Sequence, residues 1–474
     1  MRDPRKKLGA CLSIPALLLI CVTAFAQPAI PSTPAGRAFS DWLTSFNSAD
    51  VSQLAAFKQK YARKGDVADT LQFREYTGGF ELLRVERSTP DNLIALMREV
   101  ASERGVYLEV NIKGDGRGDN LIMDIRPATL PPEFAAPRMT MADALAAVKE
   151  RAGQRAAADE FSGALLLARG ERILMQQAWG FADRAKSRAA TLETQFRLGS
   201  LNKMFTAVAI LQLVDAGKLS LQGTVGQYLP NYPNRDVAAK VTVHHLLTHS
   251  GGTGDIFGPE FDAHRLQLKE HADYVALFGK RAPEFEPGSA EGYSNYGYVL
   301  LGRLIEAASG LSYYDYVQQH IYAKAGMHST GSLPESQKVA ARSQGYTKED
   351  GRWVSNENTL PYRGMAAGGG YSTVGDMLRF AQALQAGKLI PKQLLLAATS
   401  AKGIGGGWGY GFALQGEGAL HFYGGVGGAP GMNAELRIYP QSGYVLVGLS
   451  NFDPPAAENM VEFFCARMPI DSGE

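Results

Sequence analysis

Cysteine is nearly absent from this 474-residue chain, which has three, at positions 11, 21 and 465. Two of them lie within the first 26 residues, so a chain that loses that segment forms no internal disulfide and depends on its packed core. An excess of either charge is missing too. Lys and Arg number 48 against 47 Asp and Glu, a balance that gives no electrostatic reason to expect nucleic acid or an anionic membrane as a partner. The apolar run Ile14 to Phe25 falls short of the ~20 residues a bilayer-spanning helix needs. Also absent are a Gly-x-Ser-x-Gly elbow, a His-Glu-x-x-His pair and any glycine loop ending in Gly-Lys-Ser/Thr. These gaps disfavour Ser-His-Asp catalysis, zinc-dependent hydrolysis and phosphate-loop nucleotide binding. With 45% apolar and 20% charged residues, the chain reads as an ordinary globular protein of roughly two or three folding units.

The first 26 residues stand apart. Arg2, Arg5, Lys6 and Lys7 precede the apolar run, which closes on Ala24-Phe25-Ala26, the pattern of a secretory signal with a small-x-small cleavage site. Residues 1–26 are therefore expected to be removed, leaving 44 basic against 46 acidic residues and a protein that is exported, periplasmic or secreted, without stable membrane insertion. Lipid attachment at Cys21 is the alternative, opposed by the bulk of Ile20 before it. Cys465, in the apolar stretch Met460 to Met468, reads as a buried structural thiol.

After a proline-rich spacer, Phe39, Trp42, Leu43 and Phe46, then Val51, Leu54 and Phe57, recur at helical spacing. Alternating runs follow at Gly79–Arg87, Asn92–Ala101, Val106–Ile112 and Asn120–Ile125, separated by turn-rich pieces. Residues 27–137 are thus predicted to be a small accessory α+β domain, ending in the proline-rich stretch around Leu130-Pro131-Pro132. It concentrates no catalytic residue types. A connecting helix is expected over 138–158, and a second domain over 159–474. That domain starts with a β-hairpin, Phe161–Ala168 and Arg172–Phe181, and ends with strands at Leu420–Tyr423, Met432–Tyr439 and Tyr444–Ser450 and a closing helix. Its middle, Phe205 to about Leu384, is mainly helical. Strands from both ends must meet in one sheet, with a helical subdomain beside it and a cleft between them.

Ser200-Leu201-Asn202-Lys203 opens a helical run that stops at Gly217. Residues three apart share a helix face, so Ser200 and Lys203 point the same way. A serine hydroxyl needs help to act as a nucleophile, and a desolvated lysine supplies it by accepting the proton. A helix start also offers N–H groups to a developing oxyanion. Alone, Ser-x-x-Lys is a weak signal, and an N-cap serine beside an exposed lysine is the bland alternative. Tyr293-Ser294-Asn295 precedes the apolar helix Tyr298 to Ala308; its phenol suits proton transfer and its amide suits a substrate carbonyl. Tyr232-Pro233-Asn234 has the same form but no helix after it, which favours Tyr293.

Taken in order, Phe196 to Lys203, Leu246-Leu247-Thr248-His249-Ser250-Gly251, Tyr293 to Gly302 and Gly364 to Asp376 resemble the successive signatures of the class C β-lactamase-like serine hydrolases. That family includes penicillin-binding-protein-like and esterase members. The similarity runs from about Phe161 to Phe463. It implies an α+β fold, a β-lactamase/transpeptidase-like antiparallel sheet flanked by helices with a helical subdomain. It also implies Ser200 as nucleophile with Lys203 and Tyr293 as the proton-transfer pair. One element departs from the family pattern, which has Lys or His, any residue, then Gly on the strand lining the cleft. Gly425 stands in the basic slot, Gly427 keeps the small one, and the N–H of Gly428 is placed to complete an oxyanion hole with that of Ser200. Without the cation a substrate carboxylate loses a partner, which tilts the expectation toward esters and other acyl compounds.

The expected protein is therefore an exported serine hydrolase working through an acyl-enzyme on esters, β-lactams or related acyl compounds, with Asn295, Gly427 and Gly428 binding substrate. Its partner is a small acyl substrate or a peptidoglycan-derived peptide, and it needs no metal or organic cofactor. A D-alanyl carboxypeptidase and a slow-turnover penicillin-recognition or cell-wall-sensing protein are the alternatives. His244, His245 and His249 are read as structural rather than zinc-binding, and Asp255, Trp408 and Tyr410 as cleft-lining or packing residues.

Overall fold

The computed structural model describes residues 28–349 and 351–470, which form two compact units. The reading of residues 1–26 as a secretory signal, with Cys11 and Cys21, lies outside them.

Of the described residues, the first unit comprises 28–71 with 80–98 and 105–129. Helix α1 (Pro34–Ser48) starts at Thr33, whose hydroxyl accepts the Gly36 N–H at 3.0 Å, and buries Ala35, Ala38, Phe39, Trp42 and Phe46 on one face. Helix α2 (Val51–Lys60) follows, capped by Asp50. The strands β1 (Phe80–Ser88), β2 (Asn92–Glu99), β3 (Gly105–Ile112) and β4 (Leu121–Ala128) lie side by side in chain order, antiparallel at β2–β3 and β3–β4. Leu93, Ala95, Leu108 and Val110 of the sheet join the α1 aromatics in one core. A further helix over Val67–Thr77 has no apolar periodicity to announce it, and only Thr77 of its side chains is buried.

The second unit holds residues 72–79, 99–104 and 130 onward. Its helix α3 (Met141–Ala157) is capped by Thr140 and leads into strands β5 (Gly163–Arg169) and β6 (Arg172–Trp179). Four late strands complete the sheet: β7 (Ala413–Gln415), β8 (Phe422–Ala429), β9 (Met432–Ile438) and β10 (Tyr444–Ser450). The order is β7-β8-β9-β10-β5-β6, antiparallel throughout, so the two ends of the domain meet where β10 pairs with β5, Val447 opposite Leu166.

Every residue of β9 and β10 is buried, because both sheet faces are covered. Leu165, Leu167, Tyr444 and Leu446 pack on one side with α3 and the closing helix α6 (Ala456–Cys465). Leu166, Ala168, Leu436, Val445 and Val447 pack on the other with the helical part of the unit. Each fully buried aliphatic chain contributes about 1.5–3 kcal/mol relative to exposure. At the centre of the helical part runs α4 (Lys203–Asp215), almost all of it buried. Alongside it runs α5 (Asn295–Ser309).

Two expected boundaries move. Strand β8 does not stop at Tyr423 but continues through Gly424-Gly425-Val426-Gly427-Gly428 to Ala429, paired with β9 from Tyr423↔Ile438 to Ala429↔Met432. Glycine has little strand propensity, and cross-strand pairing in a covered sheet overrides it. The α-helix expected to open at Ser200 begins at Lys203, after a 3₁₀ turn over Gly199–Asn202. Cys465 is buried with its Sγ 3.3 Å from the Tyr439 hydroxyl. No helix among the described residues is long and apolar enough to cross a membrane.

Candidate active site

The turn Gly199–Asn202 is held on both sides. Leu198 donates its N–H to the Gly370 carbonyl at 2.7 Å, and Gly369 donates to the Gly199 carbonyl at 3.1 Å. Helix α4 is tied to the same loop by three side chains. Asn202 Nδ2 donates to Met365 O at 2.8 Å, Thr206 Oγ1 to Ala366 O at 2.7 Å and Lys203 Nζ to Ala367 O at 2.5 Å. The lysine is thus fixed by its own helix and by a loop more than 160 residues further along the chain.

Lys203 is 4% exposed. Its amine also donates to Asn295 Oδ1 at 2.7 Å and lies 3.1 Å from Ser200 Oγ. Three oxygens therefore surround one nitrogen, all at hydrogen-bond distance. Burial pushes the Lys203 pKa down to about 7, opposed by the Asp255 carboxylate nearby. In the ammonium form all three N–H groups are used. In the free amine two N–H groups still reach Asn295 and Ala367, and the lone pair faces the serine.

Tyr293 approaches from the opposite side, its hydroxyl donating to Ser200 Oγ at 2.7 Å. Tyr293 as a whole is 45% exposed, with its hydroxyl turned to the serine. Desolvation pushes the phenol pKa up to about 12, against the lowering effect of the Ser200 hydrogen bond, so at neutral pH the group is a proton donor. Lys203 Nζ also sits 4.8 Å from the Tyr293 ring centroid. Asn295 begins α5, whose N-cap Ser294 accepts the Gly297 N–H at 2.8 Å and donates to Gly254 O at 2.6 Å. With Asn295 Oδ1 on the lysine, one N–H of its amide goes to Asp255 Oδ1 at 2.9 Å, and one is left for a substrate.

Strand β8 presses against the serine turn so tightly that glycine is the only residue it admits at two places. A Cβ on Gly427 would lie 1.8 Å from the Leu198 carbonyl oxygen and 2.7 Å from the Leu201 nitrogen. A Cβ on Gly199, whose φ is +51°, would lie 2.8 Å from the Gly428 nitrogen. The backbone of Gly427-Gly428 is therefore in contact with the turn that carries Ser200. The slot at Gly425 faces Leu201 and Met204: a Cβ there would lie 3.3 Å from Leu201 Cδ1 and 3.8 Å from Met204 Sδ.

The structure thus brings together Ser200, Lys203, Tyr293, Asn295, Gly427 and Gly428. Tyr232, the competing Tyr-x-Asn tyrosine, is buried elsewhere with its hydroxyl 2.9 Å from that of Tyr296. The three histidines do not converge. His244 Nδ1 lies 3.1 Å from the Tyr410 hydroxyl, His245 Nδ1 accepts the Thr242 N–H and His249 Nδ1 accepts the Ser294 N–H. No group of three or more His, Cys, Asp or Glu among the described residues is arranged to hold a metal. Asp255 and Trp408 belong to the site's surroundings, Trp408 with its ring 6.1 Å from that of Tyr293, whereas Tyr410 packs on His244. Ala367 lies within the signature Gly364 to Asp376, but the role of its carbonyl is not legible there, because a backbone acceptor leaves no residue-type signature.

A serine hydroxyl between a free amine and a phenol, beside a glycine strand, defines the active-site architecture of a serine acyl-transferring enzyme. Comparison with known proteins agrees. The sequence matches the family described as Beta-lactamase over residues 148–463. Penicillin-binding protein 4* of Bacillus subtilis (strain 168) is 31% identical over 314 residues, 62% of this chain and 68% of that protein. Esterase EstB of Burkholderia gladioli is 28% identical over 289 residues, 52% of this chain and 73% of that one. The crystal structure of a penicillin-binding protein from Bacillus halodurans superposes with a TM-score of 0.60 at 30% identity, covering 67% of this chain and 98% of that one. The chain belongs to the β-lactamase family of serine hydrolases and has its fold.

Proposed function

We propose that the protein is an exported serine hydrolase that forms an acyl-enzyme at Ser200 and prefers esters and related acyl compounds without a carboxylate next to the scissile bond. The observation that carries this reading is the placement of Ser200 Oγ, 3.1 Å from Lys203 Nζ and 2.7 Å from the Tyr293 hydroxyl. In the cycle the free Lys203 amine takes the Ser200 proton as Oγ bonds to the substrate carbonyl carbon. The oxygen of that carbonyl, now negative, is held by the N–H groups of Ser200 and Gly428; one such donor is worth about 10²–10³ in rate. Asn295 Nδ2 steadies the acyl side. As the intermediate collapses, the bond to the leaving group breaks. Tyr293 gives that group its proton and is replenished from the Lys203 ammonium. Water then attacks the acyl carbon and loses a proton to the same amine; the bond from that carbon to Oγ breaks, the acid departs and the Lys203 ammonium returns the proton to Oγ.

Preference for uncharged acyl substrates is supported by Gly425, where the family pattern has a cation. Export to the periplasm or the medium is supported by the signal-like pattern of residues 1–26. The test is a panel of short-chain nitrophenyl esters, a cephalosporin and a D-alanyl-D-alanine peptide, each with wild type and Ser200→Ala. Turnover of the esters that vanishes in the variant is the expected result. Efficient cephalosporin hydrolysis with no ester hydrolysis would overturn the preference. Stoichiometric labelling by a fluorescent penicillin without turnover of any compound would make the protein a penicillin-recognition protein instead.

A further inference from the structure

His249 lies next to this site and takes no part in the cycle above. It sits within the Thr248-His249-Ser250-Gly251 stretch, is 1% exposed, and grips Tyr293 in three ways. Its carbonyl accepts the N–H of Gly292, the residue before the tyrosine, at 2.9 Å. Its Nδ1 accepts the N–H of Ser294, the residue after it, at 3.1 Å. Its imidazole lies against the tyrosine ring, centroids 4.5 Å apart with planes inclined by 31°. On its remaining sides the imidazole meets Tyr298 at 5.1 Å and the edge of Trp408 at 4.9 Å.

Two features mark this as more than filling. First, His249 has φ +58°, a left-handed conformation uncommon for residues other than glycine, although histidine, asparagine and aspartate adopt it more often than the rest. Second, a ring nitrogen that accepts a hydrogen bond carries no proton, so the proton of the neutral imidazole is on Nε2, which is buried without a hydrogen-bond partner among the described residues. An apolar ring would avoid that unsatisfied donor but would lose the acceptor for Ser294. Both costs are borne by a residue whose contacts converge on Tyr293.

We propose that His249 is a positioning residue that holds the Tyr293 phenol at hydrogen-bond distance from Ser200 by clamping the backbone on both sides of the tyrosine and packing on its ring. The inference rests on the proposed role of Tyr293 in proton transfer. It also requires the imidazole to stay uncharged, since a proton on Nδ1 would expel the Ser294 N–H. Burial and the neighbouring Lys203 cation push its pKa down to about 3, so the clamp holds across the working pH range.

The test is a double-mutant cycle on ester hydrolysis with His249→Ala and Tyr293→Phe, each purified protein checked for an unchanged melting transition. A displacement of about 1 Å at a catalytic group costs on the order of 10²-fold, so His249→Ala is expected to lower kcat by about that factor with a much smaller change in KM. In the Tyr293→Phe background the same substitution should cost less than about threefold, because the group it positions is already gone. His249→Asn keeps a left-handed-tolerant residue and a side-chain acceptor, and is expected to recover most of the lost kcat. If the alanine variant does not fold, His249→Gly, which suits the left-handed backbone and removes the side chain, carries the test, its cost being compared with and without Tyr293→Phe. If the His249 and Tyr293 effects multiply independently, or if the variant without the side chain keeps full kcat, the clamp is wrong while the hydrolase reading stands. If Tyr293→Phe alone leaves kcat intact, the proton-transfer role falls and the clamp with it.

Discussion

Replacing Lys203 by Met tests the central electrostatic claim twice, through stability and through rate. In the unfolded chain a lysine titrates near 10.4, whereas in the folded protein burial brings Lys203 down to about 7. Between those values the unfolded chain holds a proton that the folded chain does not. Stability must therefore rise with pH through this window, by about 1.4 kcal/mol per pH unit and roughly 4–5 kcal/mol in all. Below about pH 7 both states are protonated and the dependence vanishes. The methionine variant has no such proton, so subtracting its stability from that of wild type isolates the effect. Part of its expected gain at neutral pH is offset by leaving Asn295 Oδ1 and Ala367 O without a donor, at about 1–3 kcal/mol each. That offset shifts the difference without changing its slope. Urea unfolding at pH steps from 6 to 9.5 measures it. The same pKa must govern catalysis, since only the free amine accepts the Ser200 proton. Wild-type kcat/KM on a nitrophenyl ester is expected to drop about tenfold per unit below pH 7. Parallel stability curves for the two proteins, or a flat rate profile from pH 5 to 7, would refute the argument.

Other expectations follow from the same geometry. Asp255→Asn removes the charge that raises the Lys203 pKa while keeping an oxygen for Asn295, so the acidic limb of the rate profile should move to lower pH. Gly427→Ala drives a methyl into the Leu198 carbonyl and is expected to lower kcat by at least about 10²-fold through loss of oxyanion contacts, read against the melting temperature. Gly425→Lys restores a cation beside the cleft and should raise kcat/KM for carboxylate-bearing acyl substrates relative to neutral esters. In the first unit, Thr33→Ala removes the α1 cap and should cost about 1 kcal/mol in denaturant unfolding.

The elements with strong periodicity are legible from sequence. Strand β10 has the bounds that its apolar run Tyr444–Ser450 predicts, and α1 shows the buried stripe expected from Phe39, Trp42 and Phe46. The glycine-rich half of β8 is not, because its residues become a strand only through pairing with β9. The helix over Val67–Thr77 escapes for the complementary reason, a surface segment without a buried face. At the site, residue type and spacing indicate Ser200 and Lys203 because they are three apart on one turn. Tyr293 is 93 positions from the serine in sequence; a Tyr-x-Asn ahead of an apolar helix singles it out, and the ordered set of family-like motifs ties it to Ser200. The link from Asp255 through Asn295 to Lys203 and the grip of His249 on the chain around Tyr293 depend on tertiary geometry. Neither leaves a local pattern to read.

The pairing of β10 with β5 means that the domain begins and ends in the same sheet. About 230 residues separate Ser200 from the glycines that line it, so at 5–20 residues per second a growing chain carries its serine for roughly 10–45 s before Gly428 exists. During that interval the hydroxyl has no oxyanion cradle beside it. On the proposed mechanism a nascent polypeptide lacks the oxyanion donor of Gly428, so full reactivity toward acyl compounds is expected only once the last strands close over the first.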